Sequence, residues 1–188
     1  MNDEWVRTFA ESLKELTSES NIEGDRKWTE FMVKVMKNIG EKIDCYVQTR
    51  DALDHNNSGE YMNIDALFFC NSDYKNWKSK DYDPPVLPIV AVEMENNYKV
   101  DKITYCLWKL LCLRVPTRVL ICYQANMDNL LLLKKHFEET IVRYRLMDQD
   151  HGKLFIIVGD DREDGPNWDE YYKAFEWKNN KLENIKIF

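Results

Sequence analysis

Three acidic residues stand in or beside apolar runs, where a carboxylate is costly unless something compensates it. Asp65 interrupts the run Tyr61–Cys70, between Ile64 and Ala66-Leu67-Phe68-Phe69. Glu93 and Glu95 end a second run, Leu87–Glu95. Residues two apart on a strand share a face, so Glu93 and Glu95 point the same way. If the two strands are neighbours, all three carboxylates converge at one sheet edge. Three oxygen donors without Cys or His suit a hard ion, Mg²⁺ or Mn²⁺. Such an ion polarises a phosphodiester and activates water. Taken singly, each group also has an ordinary structural role. Asp65 fits a turn cap or a partner of a cation, and Glu95 fits a solvated strand end.

The elements that must hold these residues are readable from periodicity. Trp5, Phe9, Leu13 and Leu16 predict a helix from about Asp3 to Ser18. Trp28, Phe31, Met32, Val35, Met36 and Ile39 predict a second over Arg26–Asn38, with Gly40 as its C-terminal stop. Strands follow at Ile43–Thr49, Tyr61–Cys70 and Leu87–Glu95. The stretches Asp51–Gly59 and Asn71–Pro85 read as loops between them. Lys102–Leu113 is a helix with Ile103, Cys106, Leu107, Leu110 and Leu111 as its buried stripe. Arg118–Tyr123 is a strand, Asn129–Arg145 a helix, and Lys153–Gly159 a strand. Glu170–Trp177 and Leu182–Phe188 close the chain as a hairpin. Three consecutive strands, then strands alternating with helices, imply an α/β fold with a mixed sheet flanked by helices in three layers. The chain is expected to be a single domain: a helical extension over 1–25, a core over 26–160 and the hairpin over 161–188.

Composition narrows the function classes. The chain has 188 residues, 44% of them hydrophobic, with six Trp and only six Gly and five Pro. That supplies a core and excludes low-complexity classes. The net charge of −7 excludes a generally basic nucleic-acid coat. The local charge differs: Lys99, Lys102, Lys109, Arg114 and Arg118 face only Asp101 between Asn97 and Arg118, a side that phosphates could approach. No run reaches the roughly 18 apolar residues of a membrane span. The acidic start Met1-Asn2-Asp3-Glu4 is unlike a signal peptide. Cys45, Cys70, Cys106, Cys112 and Cys122 have no C-x-x-C spacing and read as reduced core thiols of a cytoplasmic protein. His55, His136 and His151 are scattered, so zinc is not expected. There is no G-x-S-x-G, no H-E-x-x-H and no Gly-rich phosphate loop.

Ile64-Asp65 followed by Glu93-Met94-Glu95, with a helix and a strand after them, resembles the PD-(D/E)xK nuclease superfamily over roughly Arg26 to Gly159. The resemblance implies a restriction-endonuclease-like core: a helix, a three-stranded meander, a crossover helix and a further strand. It implies a Mg²⁺- or Mn²⁺-dependent endonuclease in which Asp65 and Glu93 bind the ion. The motif Lys is replaced by Glu95, a variant found in a minority of the family's restriction enzymes. Glu95 would be a further ligand or would orient the attacking water. Some members supply the amine from the crossover helix. Here Lys102 and Lys109, seven residues apart and on one helical face, are the candidates, with Lys99 on the preceding loop. Their bland reading is a solvated helix flank. The family often adds a Glu from the first helix, and Glu30 stands at that place, although a helical wheel sets it opposite the apolar stripe. The implied partner is nucleic acid, DNA above all. A two-fold dimer suits double-strand cleavage. The competing class is a nuclease-fold binding module without catalysis, which the missing Lys and the acidic net charge both favour.

Overall fold

The computed structural model describes residues 4–17, 25–49, 63–78, 86–124, 127–144, 152–160 and 171–187. The expected loop at 51–59, Tyr61 and Met62, and residues 79–85 lie outside these. Among the described residues the chain forms five α-helices and seven strands, an α/β chain with mixed strand pairing. It divides into two compact units, the first ending at Val90 and the second running from Ala91 to Ile187.

The first unit holds α1 (Glu4–Thr17), α2 (Asp25–Lys42), β1 (Cys45–Thr49), β2 (Ala66–Cys70) and α3 (Asn71–Lys78). The four-residue repeat of α1 buries Trp5, Phe9 and Leu13. Trp5 stacks on Phe9 at 5.7 Å and meets Phe68 of β2 edge-on at 5.9 Å. The α2 stripe of Phe31, Met32, Val35, Met36 and Ile39 is buried as the spacing predicts. β1 and β2 pair antiparallel, Cys45 opposite Cys70 and Thr49 opposite Ala66.

Gly40 does not end α2, which continues to Lys42. The turn out of the helix is made by Asp44 at φ 52. Gly40 is needed for packing instead, because a Cβ there would lie 2.1 Å from Val47 Cγ2 and 3.0 Å from the Cys45 carbonyl oxygen. In an open helix interior, Gly→Ala stabilises by about 1 kcal/mol. Here Gly40→Ala is expected to destabilise by about 1–3 kcal/mol, and adding Val47→Ala recovers part of the loss. Urea unfolding of the three variants checks the sign.

Two further expectations are corrected. β2 begins at Ala66, so Asp65 sits on a half-buried bend just before the strand and not inside it. Asn71–Lys78 is a helix where a loop is expected, and it separates the second and third strands. Asn71 starts it by bonding Asp44 twice: its N–H to the carbonyl oxygen at 3.3 Å and Nδ2 to Oδ1 at 2.8 Å. Asp73 lies in the first turn, where the helix dipole favours an anion. Tyr74 then stacks on Tyr46 of β1 at 3.9 Å.

The second unit holds β3 (Val90–Glu95, apart from its first residue), α4 (Val100–Leu111), β4 (Thr117–Gln124), α5 (Leu130–Tyr144), β5 (Lys153–Asp160), β6 (Tyr172–Lys178) and β7 (Lys181–Ile185). Strand order follows the sequence, β3-β4-β5-β6-β7. β4 and β5 are parallel, while β5–β6 and β6–β7 are antiparallel. The C-terminal hairpin is present as predicted. Asn179 and Asn180, at φ 52 and 61, turn it in two residues, the left-handed pair a type I′ turn requires.

Candidate functional site

β3 ends in Glu93-Met94-Glu95, and α4 returns over the same face of the sheet. Lys109 Nζ lies 2.6 Å from Glu93 Oε2, and the Cys106 thiol lies 3.7 Å from Glu95 Oε2. Glu93 is 0% exposed and Lys109 9%. Two ions cannot be withdrawn from water this far unless each compensates the other. Lys109 also keeps its ammonium 5.7 Å from the centre of the Tyr105 ring. Glu95 is half-buried. Its Oε1 accepts the Asn97 N–H at 2.8 Å, and Asn97 Oδ1 accepts the Lys99 N–H at 2.9 Å. These short-range bonds turn the chain from β3 into α4, whose first amides bond the Lys99 carbonyl.

Two thiols report the charge of this corner. Burial, then the negative charge of Glu93 and a hydrogen bond to it, push the Cys106 thiol far above its ordinary value, with Lys109 pulling the other way. Burial and then Glu95 do the same to Cys122. Both cysteines are neutral.

The far end of α4 is held from β4. Arg118, 0% exposed, donates from Nε to the carbonyl oxygens of Leu110 and Leu113 at 3.0 Å each, and from a second nitrogen to Leu113. A cation at a helix C-terminus satisfies the last carbonyls and complements the dipole. Alternation along β4 puts Arg118, Cys122 and Gln124 on the α4 face. Gln124 and its register partner Asp160 are both buried. α5 lies on this face too: Thr104 Oγ1 and His136 Nε2 are hydrogen-bonded at 2.8 Å, and Lys134 sits 5.3 Å over the Phe175 ring.

The structure thus brings Glu93, Glu95 and Lys109 together in the second unit. Asp65 belongs to the first unit. Glu30 is exposed on α2, and Lys99 and Lys102 are exposed before and at the start of α4. The solvated-flank reading holds for Lys102 and fails for Lys109. The basic stretch is corrected as well: Lys109 and Arg118 are interior, leaving Lys99, Lys102 and Arg114 at the surface. Cys112, read as a core thiol, is exposed. Sequence reasoning missed Arg118 as a buried tie, although a cation opening the apolar run Arg118–Tyr123 was a signal for it.

Among the described residues no group of three or more His, Cys, Asp or Glu is placed to hold a metal ion, and no helix is long and apolar enough to cross a membrane. Glu93 and Glu95 flank one thiol from one strand end, which makes a two-carboxylate oxygen set. Mg²⁺ is commonly held by one or two carboxylates, with water and phosphate oxygens completing its shell; of this pair only Glu95 has exposed surface, Glu93 being fully buried against Lys109. No family model, no curated protein and no solved structure matches this chain.

Proposed function

We propose that the chain is a metal-dependent nuclease of the PD-(D/E)xK type, acting on nucleic acid, DNA first, with the three-layer restriction-endonuclease-like arrangement of that family. The observation that carries the reading is the 2.6 Å approach of Lys109 to Glu93. The motif Glu-x-Glu lacks its own amine, and the crossover helix delivers one to the first Glu. Glu93 and Glu95 would hold Mg²⁺ or Mn²⁺, with Asp65 as the further carboxylate that the motif assigns. Such an ion, when bound, polarises the phosphodiester and activates water. Lys109 stabilises negative charge growing on the phosphate oxygens. Glu95, the more accessible of the two, orients the incoming water. Exposed Lys99 and Lys102 meet the phosphate backbone.

A second reading is favoured by one observation, the complete burial of Glu93. On that reading the pair with Lys109 is internal cement, and the chain is a binding module that keeps the fold without the chemistry.

The deciding experiment titrates Mn²⁺ by calorimetry and follows nicking of supercoiled plasmid in the same samples. Wild type is compared with Asp65→Asn and Glu95→Gln, which keep side-chain shape and leave the Glu93–Lys109 pair intact. Wild-type binding, with nicking that falls about 100-fold in either variant, is the expected result. A folded wild type that neither binds Mn²⁺ nor nicks DNA overturns the nuclease in favour of the module.

A further inference from the structure

Far along the chain from Glu93 and Glu95, two cysteines face each other across β1 and β2. Cys45 and Cys70 are register partners. One step outward, the Asn71 N–H donates to the Asp44 carbonyl oxygen at 3.3 Å. In an antiparallel ladder hydrogen-bonded and non-hydrogen-bonded pairs alternate. Asp44 and Asn71 are of the first kind, so Cys45 and Cys70 are of the second. The Ile89 N–H donates to the Phe68 carbonyl oxygen at 2.8 Å, which shows Phe68 turning its polar groups away from β1, as the same alternation requires. At a non-hydrogen-bonded pair the Cα atoms lie about 4.5 Å apart. That is inside the span of roughly 4.4–6.8 Å that a disulfide bridges without backbone movement. Directly opposed residues also project from one face of the sheet.

Both thiols are reduced. Cys45 Sγ is turned toward the Ile43 carbonyl oxygen at 3.6 Å, and Cys70 Sγ lies 3.1 Å from Ser72 Oγ. Rotation about the Cα–Cβ bonds is the movement that joins them. The two differ in character. Cys45 is buried, whereas Cys70 is partly open to solvent at the strand end. The hydrogen bond with the Ser72 hydroxyl, then those from the Asp73 and Ser72 backbone, hold the Cys70 thiol below its ordinary value. Burial, then the charges of Cys70 and Asp44, push Cys45 up to about 11. An accessible thiol whose pKa is held down, beside a protected one whose pKa is raised, is the arrangement of an attacking and a resolving cysteine.

We propose that Cys45 and Cys70 form a peroxide-responsive pair that closes to a cross-strand disulfide. The Cys70 thiolate attacks one oxygen of hydrogen peroxide and the O–O bond breaks. The departing hydroxide takes a proton and leaves as water, and Cys70 becomes a sulfenic acid. Cys45 gives up its proton and attacks the Cys70 sulfur. The S–S bond forms, the S–O bond breaks, and the second hydroxide leaves as water. The two thiols lose two electrons and two protons, and one peroxide becomes two waters. The disulfide then staples the α2–β1 turn at Asp44 to the start of α3.

The full chain is treated with hydrogen peroxide at concentrations that oxidise free glutathione. Remaining thiols are then alkylated, and tryptic peptides are compared with and without reductant. The expected product joins Ile43–Arg50 to the peptide ending at Lys75 through Cys45 and Cys70, and three of the five cysteines stay alkylatable. Cys70→Ser abolishes the link. In Cys45→Ser, or Cys45→Ala should the first fold poorly, Cys70 accumulates as a sulfenic acid that dimedone traps. Exposed Cys112 is the control: it stays alkylatable and forms no link within the chain. Five alkylatable thiols after treatment, or links that join other cysteines in preference to this pair, overturn the proposal. Neither outcome bears on nuclease activity, so this pair and the carboxylate site are tested separately.

Discussion

Lys109→Met lowers the stability of the fold by about 3–5 kcal/mol, because it takes the neighbouring cation away from a fully buried Glu93 carboxylate. Glu93 has no exposed surface from which to regain water, so the loss is not recovered by solvation. The double variant Glu93→Gln/Lys109→Met removes both charges and returns to within about 1–2 kcal/mol of wild type. Urea unfolding of the single and double variants measures the coupling directly. A loss under about 1 kcal/mol in Lys109→Met shows that Glu93 finds water or another cation once its partner is gone. Alone, this result is the same for nuclease and module. Plasmid nicking separates them, because the double variant is then folded and, on the nuclease reading, inactive.

Arg118→Met costs about 2–4 kcal/mol, the value of charge-assisted hydrogen bonds withdrawn from acceptors that stay buried. The damage is local in origin: the Leu110 and Leu113 carbonyls lose the Arg118 donor at the end of α4. Amide exchange should therefore quicken first at Cys112 and Leu113, whose N–H groups close the last turn. Arg118→Lys does not restore the loss, since an ammonium on a flexible stem cannot reproduce a planar fork of donors. Equal protection of these amides in wild type and Arg118→Met would show that the helix end holds without the tie.

Most of the framework was legible. α1, α2 and α4 each carry an apolar stripe of period 3.6, and β4 and β5 are apolar runs beside turn signals, so local pattern and tertiary burial agree there. α3 was not legible, because its sequence Asn71–Lys78 is polar and its supports lie elsewhere: Asp44 beneath its first residue and Tyr46 beneath Tyr74. Gly40 misled for a related reason. Glycine is read locally as a helix end, whereas here it is required by Val47, a residue on another element. At the site, alternation along β3 set Glu93 and Glu95 on one face. It could not foretell that Lys109, at the border of the α4 stripe, would be drawn inside. Lys102 occupies nearly the same angular position and is exposed, so the helical wheel does not separate them. The difference is Glu93 lying within reach of one amine.

The position of β7 at the end of the strand order has a consequence for how copies of this chain meet. An outermost strand offers a row of free backbone donors and acceptors, the template on which chains polymerise. β7 is five residues long and carries Lys181 and Glu183 around buried Leu182. Short length and charge make this border a poor seed for stacking. A two-fold dimer of this chain therefore has to be sought on side-chain surfaces and not along the β7 margin.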